Sequence, residues 1–487
     1  MATPDWDPVE DRRAGDTFAL YPLSVFDRIF ERSTFVTGWL VEGRLDEQAI
    51  ASAIGKVAEK WRMLAGRLHS RVEHGKTSWL LKIPLGEIPS TYRTYSLTTS
   101  LSEFPLSHHL QLPLKGVNPS LPHSLFLHTE TPRNYATWES KDSPLTCWHF
   151  THFPLDPQTR KEYTALGFAR SHGVFDGLGA AQVVRAVIAE LSGHGQGWSP
   201  PPSPNPGLNV NPVEAVLDDL GNGAGDTSAE NSPFYSVLGV AGAIGMLAWH
   251  VRERLWRKAD PHTVIVPNGA VTWLVQGVRE QLRNLGVTME VSTGDVLTSW
   301  LMKTIYSSGT DEYTTVHCSN VASFRSVLDP NQGDQSIINY PHNAWTPLPY
   351  PVYSVEDINN LSLHELTRRL AESRHSFTSS HVVSAYQTLV KNPLAMPAHA
   401  TADESFLVSN VSASRILEAD WSSAGSEGTI CGYRYSLTAS AFLVTNSAYI
   451  SGRLPSDGSH LIEITLNATR TKLLEAEVER IVAASAG

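Results

Sequence analysis

Basic charge is what this chain most plainly lacks. Its 38 lysines and arginines face 49 aspartates and glutamates, for a formal net charge of −11. A nucleic-acid partner is therefore not expected, because it would need a basic footprint. Cysteine is nearly absent too. Cys147, Cys318 and Cys431 are odd in number and far apart, so they form neither a disulfide framework nor a CxxC metal pair, and a reducing compartment is expected. The opening MATPDWDPVEDRR is acidic and has no apolar h-region, so no secretory signal is read there. The sequons at Asn360, Asn410 and Asn467 are then accidental, and the closing VAASAG carries no lipidation or retention signal. No G-x-S-x-G elbow, P-loop, H-E-x-x-H or D-x-D-x-D-G run occurs, so the usual local signatures of serine hydrolases, phosphate-loop enzymes, zinc proteases and calcium loops are missing.

What is present fits a globular protein. At 487 residues, 41% hydrophobic and 18% charged, the chain is long enough for two domains or one large two-lobed unit with a sizeable core. After an apolar stretch at 35–41, a helix signal begins at Asp46. Ile50, Ala53, Ile54, Val57, Trp61 and Leu64 recur at helical spacing, and Gly66 suits the helix end. YTALGFARSH reads as an apolar strand and GLGAAQVVRAVIAEL as a helix, with Ala180, Val184, Val187, Ile188 and Leu191 on one face. A Pro-rich then Gly/Asp/Ser-rich run over 198–233 reads as a linker, dividing an N-terminal lobe (1–197) from a C-terminal lobe (234–487).

The second half opens with FYSVLGVAGAIGMLAWHV, which carries no charge over 234–251. That length is at the short edge of a membrane span, and Gly239, Gly242 and Gly245 dilute its hydrophobicity. A lipid-facing or tunnel-lining helix, a buried core helix and a true span are all open readings; a helix of the second lobe, at most peripheral to a membrane, is the expectation. Further on, VSTGDVLTSWLMKTI predicts a helix capped by Ser292 or Thr293, with Val296, Leu297, Trp300 and Leu301 buried. Strands and helices mix without regular βα alternation, which favours α/β layers with mixed sheets over a barrel.

The stretch most suggestive of chemistry is SHGVFDG, residues 171–177. His172 ends a strand and Asp176 opens a helix, with glycines at 173 and 177 that permit tight turns and close approach of a substrate. A metal site, a catalytic dyad, a general base with a structural helper and a plain structural turn all fit this pattern. A neutral imidazole, titrating near pH 6.5, can take a proton from an alcohol and return it, and an alcohol attacking a thioester needs that service. A rate that rises with pH as His172 loses its proton is expected. In CWHFTHF, His149 and His152 stand three apart in a strand-like segment, so they point to opposite faces and cannot share a metal.

WRMLAGRL, SHGVFDG, STGDVLTSWLMKTI, SFRSVLDP and NYPHNAWTP occur in that order. Together they resemble the BAHD-type, coenzyme-A-dependent acyltransferases and, more broadly, the chloramphenicol acetyltransferase and condensation-domain fold, over most of the chain. SHGVFDG matches the family's H-x-x-x-D-G motif, and Arg325 and Asn343 occupy matching places. The resemblance implies two pseudo-symmetric α/β lobes with a tunnel between them, His172 at its centre as base, and Asp176 turned away to pair with Arg325; direct participation of Asp176 is the alternative. The late D-F-G-W-G motif is altered: Ser409, Asn410 and Asp420 are kept, but Trp421 and Ser422 replace its phenylalanine and glycine. This departure fits a divergent, fungal-type branch. Ser171 stands where condensation domains carry a second histidine, which favours a soluble thioester donor.

The resemblance thus implies a monomeric, cytoplasmic O-acyltransferase of secondary metabolism, peripheral to endomembranes at most. It would move an acyl group, most simply acetyl, from coenzyme A to a small hydrophobic alcohol such as a terpenoid or polyketide, with no metal and no permanently bound cofactor. Gly177, Ser292, Thr293, Ser409, Asn410 and Thr445 are candidates for contacting substrate or coenzyme A, and Thr445, Asn446 or Ser409 for the oxyanion donor. A carrier-protein-dependent condensing enzyme and a non-catalytic binding protein on the same fold are the alternatives.

Overall fold

The apolar stretch at 35–41 becomes the strand Ser33–Glu42, buried along nearly its whole length in the computed structural model of the protein. The structure describes residues 18–73, 75–202, 210–223, 232–237, 240–439 and 444–487, so the acidic opening segment lies outside the described residues. Ser33–Glu42 belongs to a five-stranded sheet in the order Gly428–Thr438, Ser33–Glu42, Tyr163–Ser171, Thr146–His152, Ser96–Leu101. Gly38 and Gly167 sit opposite each other in register. A Cβ on Gly38 would fall 2.5 Å from the Phe126 ring, and one on Gly167 1.7 Å from the Phe126 carbonyl oxygen. The glycine pair lets that segment lie directly on the sheet. The helices Glu47–Lys60 and Gly177–Leu191 pack against each other.

The second sheet has eight strands, running Trp345–Pro347, Thr315–Ser323, Glu404–Asn410, Ser447–Arg453, His460–Leu466, Asp260–Val266, Gly116–Pro119, with Val352–Ser354 paired to Thr315–Ser323. Four helices, Asn268–Asn284, Thr293–Ile305, Leu363–His375 and Ala468–Ala486, pack together over it. Val296, Leu297, Trp300 and Leu301 are buried there with Leu474, Val478 and Ile481. The two sheets exchange strands. Gly428–Thr438 comes from the C-terminal half to complete the first sheet, and Gly116–Pro119 from the N-terminal half edges the second.

Two local expectations change, and a third, the helix within 234–251, is met in part. Gly66 does not cap the helix Glu47–Lys60: that helix ends at Trp61, a 3-10 turn Arg62–Ala65 intervenes, and Gly66 is extended. Its value is closeness, since a Cβ there would meet the Met63 carbonyl oxygen at 2.9 Å. The run at 198–233 is not all linker. Residues 203–209 and 224–231 lie outside the described residues, but Pro212–Gly223 is a helix, with Val213 and Leu217 buried near the helix Ser379–Lys391. Within 234–251, residues 238–239 are likewise outside. Val240–Val251 forms a helix continued by a π turn Arg252–Trp256. It lies on the surface: Ile244, Leu247, Leu255 and Trp256 are all more than half exposed. No helix among the described residues is long and apolar enough to cross a membrane.

Candidate active site

The strand Tyr163–Ser171 runs antiparallel to Ser33–Glu42, and the pairing carries one step past its end: the His172 amide donates to the Ser33 carbonyl at 3.1 Å. The backbone then turns, so the imidazole leaves the sheet at a fixed point. Its ring stacks on Phe30, centroids 3.7 Å apart at 19°, and meets Phe35 edge-on at 5.0 Å and 79°. Trp345 lies beyond Phe30 at 5.3 Å. Nδ1 is buried with no hydrogen-bond partner, while the residue keeps part of its surface accessible. Enclosure pushes the imidazole down to about 3, helped by Arg170 and, more weakly, Arg434, with its own backbone carbonyl opposing. Desolvation penalises the imidazolium, so the ring is neutral at any physiological pH.

Asp176 does not touch that ring. Its Oδ1 accepts the Leu178 and Gly179 amides at 3.0 and 2.9 Å, capping the helix Gly177–Leu191. Its Oδ2 takes Nη2 of Arg325 at 2.8 Å, and both side chains are buried. Arg325 is held in turn by the Tyr340 carbonyl through Nε (2.9 Å) and Nη2 (2.7 Å), by the His342 carbonyl (2.7 Å), and by Ser323 Oγ (3.1 Å). A second clamp comes from Asn343. Its Nδ2 donates to the His172 carbonyl at 2.9 Å and to Asp27 Oδ1 at 3.0 Å, and its amide donates to the same oxygen at 2.8 Å. Asp27 also accepts from the amide and hydroxyl of Ser24. Burial pushes its carboxyl up to about 7 against these hydrogen bonds. The loop bearing His172 is thus tied at its start by Ser33, at its carbonyl by Asn343 and at its end by Arg325.

The other candidate residues fall into two groups. Asn410 Nδ2 lies 2.4 Å from where a Cβ on Gly294 would be, and Val411 Cγ1 lies 3.0 Å from the corresponding point on Gly177. Asn410 and Gly177 therefore adjoin the N-termini of two helices, Thr293–Ile305 and Gly177–Leu191. Ser292 caps the first of these in a capping box with Asp295, and Thr293 begins it. Ser409 stands in register with Tyr449, whose ring meets Phe35 at 6.0 Å. Thr445 belongs elsewhere. Its hydroxyl contacts His250 Nδ1 at 2.9 Å, and it stands before the strand Ser447–Arg453, beyond the left-handed turn at Asn446. Asn446 is fully engaged: Nδ2 donates to the Tyr306 hydroxyl and the Ser405 carbonyl, and Oδ1 accepts from Arg470. Its side-chain N–H groups are thus already taken. His149 bonds Thr98, and His152 bonds Glu47 and Thr164.

Two solved structures share this architecture. Over 94% of this chain and 97% of its own, TRI101 of F. graminearum, crystallised with coenzyme A and deoxynivalenol, superposes with a TM-score of 0.61 at 14% identity. Vinorine synthase does so over 96% and 98%, at 0.53 and 12%. The chain has the fold of the BAHD-type acyltransferases. No family model matches the sequence. It is similar to the O-acyltransferase pboC of Aspergillus ustus, 25% identical over 300 residues, which is 59% of this chain and 60% of that protein. It is also similar to the acetyltransferase BOT5 of Botryotinia fuckeliana, 26% identical over 285 residues, 55% of this chain and 49% of that one. The matched part thus spans about half to three fifths of these curated relatives.

On this BAHD-type fold, the wall around His172 comes largely from residues the sequence reading did not single out. Phe35 is in contact with His172, Tyr449 and two guanidinium groups, Arg170 at 5.2 Å and Arg434 at 5.7 Å from its ring centre. One signal was present in the sequence. YTALGFARS and GTICGYRYSLT each place an arginine within a strand otherwise rich in apolar residues, and a charge is rarely buried there without a partner or a task.

Proposed function

We propose that the protein is an acyl-CoA-dependent O-acyltransferase, transferring an acyl group, most simply acetyl, to the hydroxyl of a small, largely hydrophobic acceptor of secondary metabolism. The observation that carries the reading is His172: an imidazole kept neutral by burial, on a loop tied through its amide, its carbonyl and the Asp176 side chain, and partly accessible on an acyltransferase fold. In this mechanism His172 removes the acceptor's hydroxyl proton while the oxygen attacks the thioester carbonyl. The tetrahedral intermediate collapses, the C–S bond breaks, and His172 returns the proton to the leaving thiolate, leaving an ester and free coenzyme A. A base with its titration so far down is always unprotonated at neutral pH but accepts a proton reluctantly; its return to the thiolate is correspondingly downhill. Asp176 and Arg325 hold the loop and take no part in proton transfer. Coenzyme A sulfur would approach along the Asn410–Val411 side, where the N-termini of two helices make the local field favourable to a developing negative charge. Similarity to two proteins named as acyltransferases and to a fold seen with coenzyme A supports the assignment.

Thiol release from free acetyl-CoA, measured with a panel of terpenoid and polyketide alcohols, tests it. Acceptor-dependent release that disappears in His172→Ala supports transfer from coenzyme A; release only from a carrier-bound thioester would indicate a condensing enzyme instead. The exposed apolar residues of Val240–Val251 and the turn after it favour peripheral contact with a membrane surface.

A further inference from the structure

Five arginines are buried among the described residues: Arg67, Arg170, Arg325, Arg434 and Arg470. Three of them meet a carboxylate, Arg67 at 3.4 Å and Arg325 and Arg470 each at 2.8 Å. Arg170 and Arg434 meet none among the described residues. Arg170 is 1% and Arg434 5% exposed, yet Nε of Arg170 and both Nε and Nη2 of Arg434 are buried without a hydrogen-bond partner. Arg170 donates from Nη1 to Thr37 Oγ1 at 3.2 Å. A buried charge left unpaired is costly and rare unless something arrives to pair it.

The two guanidiniums share a place. Arg170 pairs in register with Phe35 and Arg434 with Thr37, so both project from the sheet face that bears the Phe35 ring. That ring is also 5.0 Å from His172, and Arg434 Nη2 comes within 4.0 Å of the Cβ position of Gly177. The cations therefore stand about one ring's width from the base, at the start of the helix that Asp176 caps. On the second sheet, Tyr449 and Glu463 are opposite each other in register. Glu463 favours the Arg434 charge from a distance but forms no ion pair with it: its Oε1 has no side-chain partner, its Oε2 takes the Ser120 hydroxyl at 3.3 Å, and burial pushes its carboxyl up to about 8, with Arg434 opposing. Burial pushes Arg170 down to about 9, with Arg434 adding to the effect, and Arg434 down to about 10.

We infer that Arg434, with Arg170 behind it, forms an anion subsite beside His172 that takes a carboxylate of the acceptor, so that the acceptor is a hydroxy acid. Nε and Nη2 lie on one edge of a guanidinium, the edge that grips both oxygens of a carboxylate side by side. A phosphate of coenzyme A does not fit here, because its thioester must lie at His172 and its phosphates are a pantetheine arm away. The inference rests on the acyltransferase reading for the word acceptor, while the subsite itself does not depend on turnover.

Benzoate and its uncharged isostere benzamide are the probes, titrated calorimetrically into the whole protein saturated with coenzyme A. Benzoate should bind roughly tenfold or more tightly than benzamide. Arg434→Gln should erase the difference, and Arg434→Lys should restore only part of it, since it keeps the charge but not the fork. Coenzyme A binding should be unchanged in both. Without ligand, Arg434→Gln should melt at or above the wild-type temperature, because it removes an uncompensated buried charge. Equal binding of benzoate and benzamide by the wild type overturns the inference, as does a difference that survives in Arg434→Gln. A large loss of melting temperature in Arg434→Gln overturns it too, by making the arginine structural. With acetyl-CoA present, 4-hydroxybenzoate should release more thiol than its methyl ester. Carboxylate binding without any thiol release would leave the subsite standing and remove the transferase reading; transfer to neutral alcohols without carboxylate preference would do the reverse.

Discussion

Replacing Asp176 by alanine separates a structural carboxylate from a chemical one. The substitution removes the contact to Arg325 at 2.8 Å and the two amide bonds that begin the helix Gly177–Leu191. Breaking a buried pair by deleting one partner costs about 3–5 kcal/mol, and losing an N-cap about 1 kcal/mol more. Arg325 keeps its carbonyl partners Tyr340 and His342, which places the sum near the lower end, roughly 4–5 kcal/mol. For a lobe of about 200 residues that corresponds to a fall in melting temperature of roughly 8–20 °C. Asp176→Asn should lose less, since asparagine caps a helix as well as aspartate; the gap between the two variants reads the cap alone. Arg325→Ala should be destabilising as well, and the double variant should lose clearly less than the sum, because the pair can be broken only once. Differential scanning calorimetry on the four proteins, with thiol release measured well below the lowest melting temperature, completes the cycle. An Asp176→Ala protein that melts like the wild type but has lost turnover would refute the reasoning and place the carboxylate in the reaction.

His172→Ala should lower turnover by roughly 10²–10⁴ with coenzyme A affinity and melting temperature little changed; a variant that keeps near-wild-type transfer, measured by thiol release, would remove His172 as the base. Because His172 is held down at about 3, its titration should leave no inflection near pH 6.5 in the rate, contrary to the rise expected for an ordinary imidazole, and a pH–rate profile from about pH 5 to 8 reads this directly. The same depression has a stability sign: the unfolded chain binds the proton below about 6.5 and the folded one only near 3, so this contribution is complete above pH 6.5 and is lost as pH falls between those values, which acid melts of wild type and His172→Ala compare. Replacing Leu255 and Trp256, both exposed, by serine should abolish co-flotation with anionic vesicles and leave thiol release intact; wild-type protein that never floats, or that resists carbonate extraction from membranes, would contradict a peripheral location in opposite ways.

Much of this was legible in the sequence where the physics is local. A strand, a glycine turn and an acidic N-cap are all contained in SHGVFDG, so the backbone around His172 could be drawn from a few residues. Ser292 as a cap and the buried face of Thr293–Ile305 were equally local. Arg325 lies 149 residues from Asp176, and nothing in periodicity links them; only the family resemblance did. The partners of Asn446 and Thr445 were hidden for a related reason. A side chain's donor capacity looks free in a sequence, but in the fold Tyr306, Ser405, Arg470 and His250 take it up. Phe30 and Phe35 were invisible because an aromatic residue near a strand is ordinary, and its meaning arises only when a ring from another strand stacks on it. Gly66 closes the 3-10 turn Arg62–Ala65 and not the α-helix itself, because the helix tightens after Trp61, which no single residue type announces.

The links around His172 all join segments distant in sequence. Asn343 joins the His172 carbonyl to Asp27, 316 residues before it, and Arg325 joins Asp176 to the second-lobe segment that carries Tyr340 and His342. The first sheet is itself completed by Gly428–Thr438, the strand that brings Arg434 to the site. The orientation of the imidazole is therefore a property of the assembled fold and not of the H-x-x-x-D-G loop alone. A misplacement of about 1 Å costs a reaction of this kind on the order of 100-fold, so these buried long-range ties do more than hold the chain together. They set where the base stands. This explains why two buried charged networks, one on Asp176 and one on Asp27, occur within one turn of backbone at a place where apolar packing alone would have been the more stable arrangement.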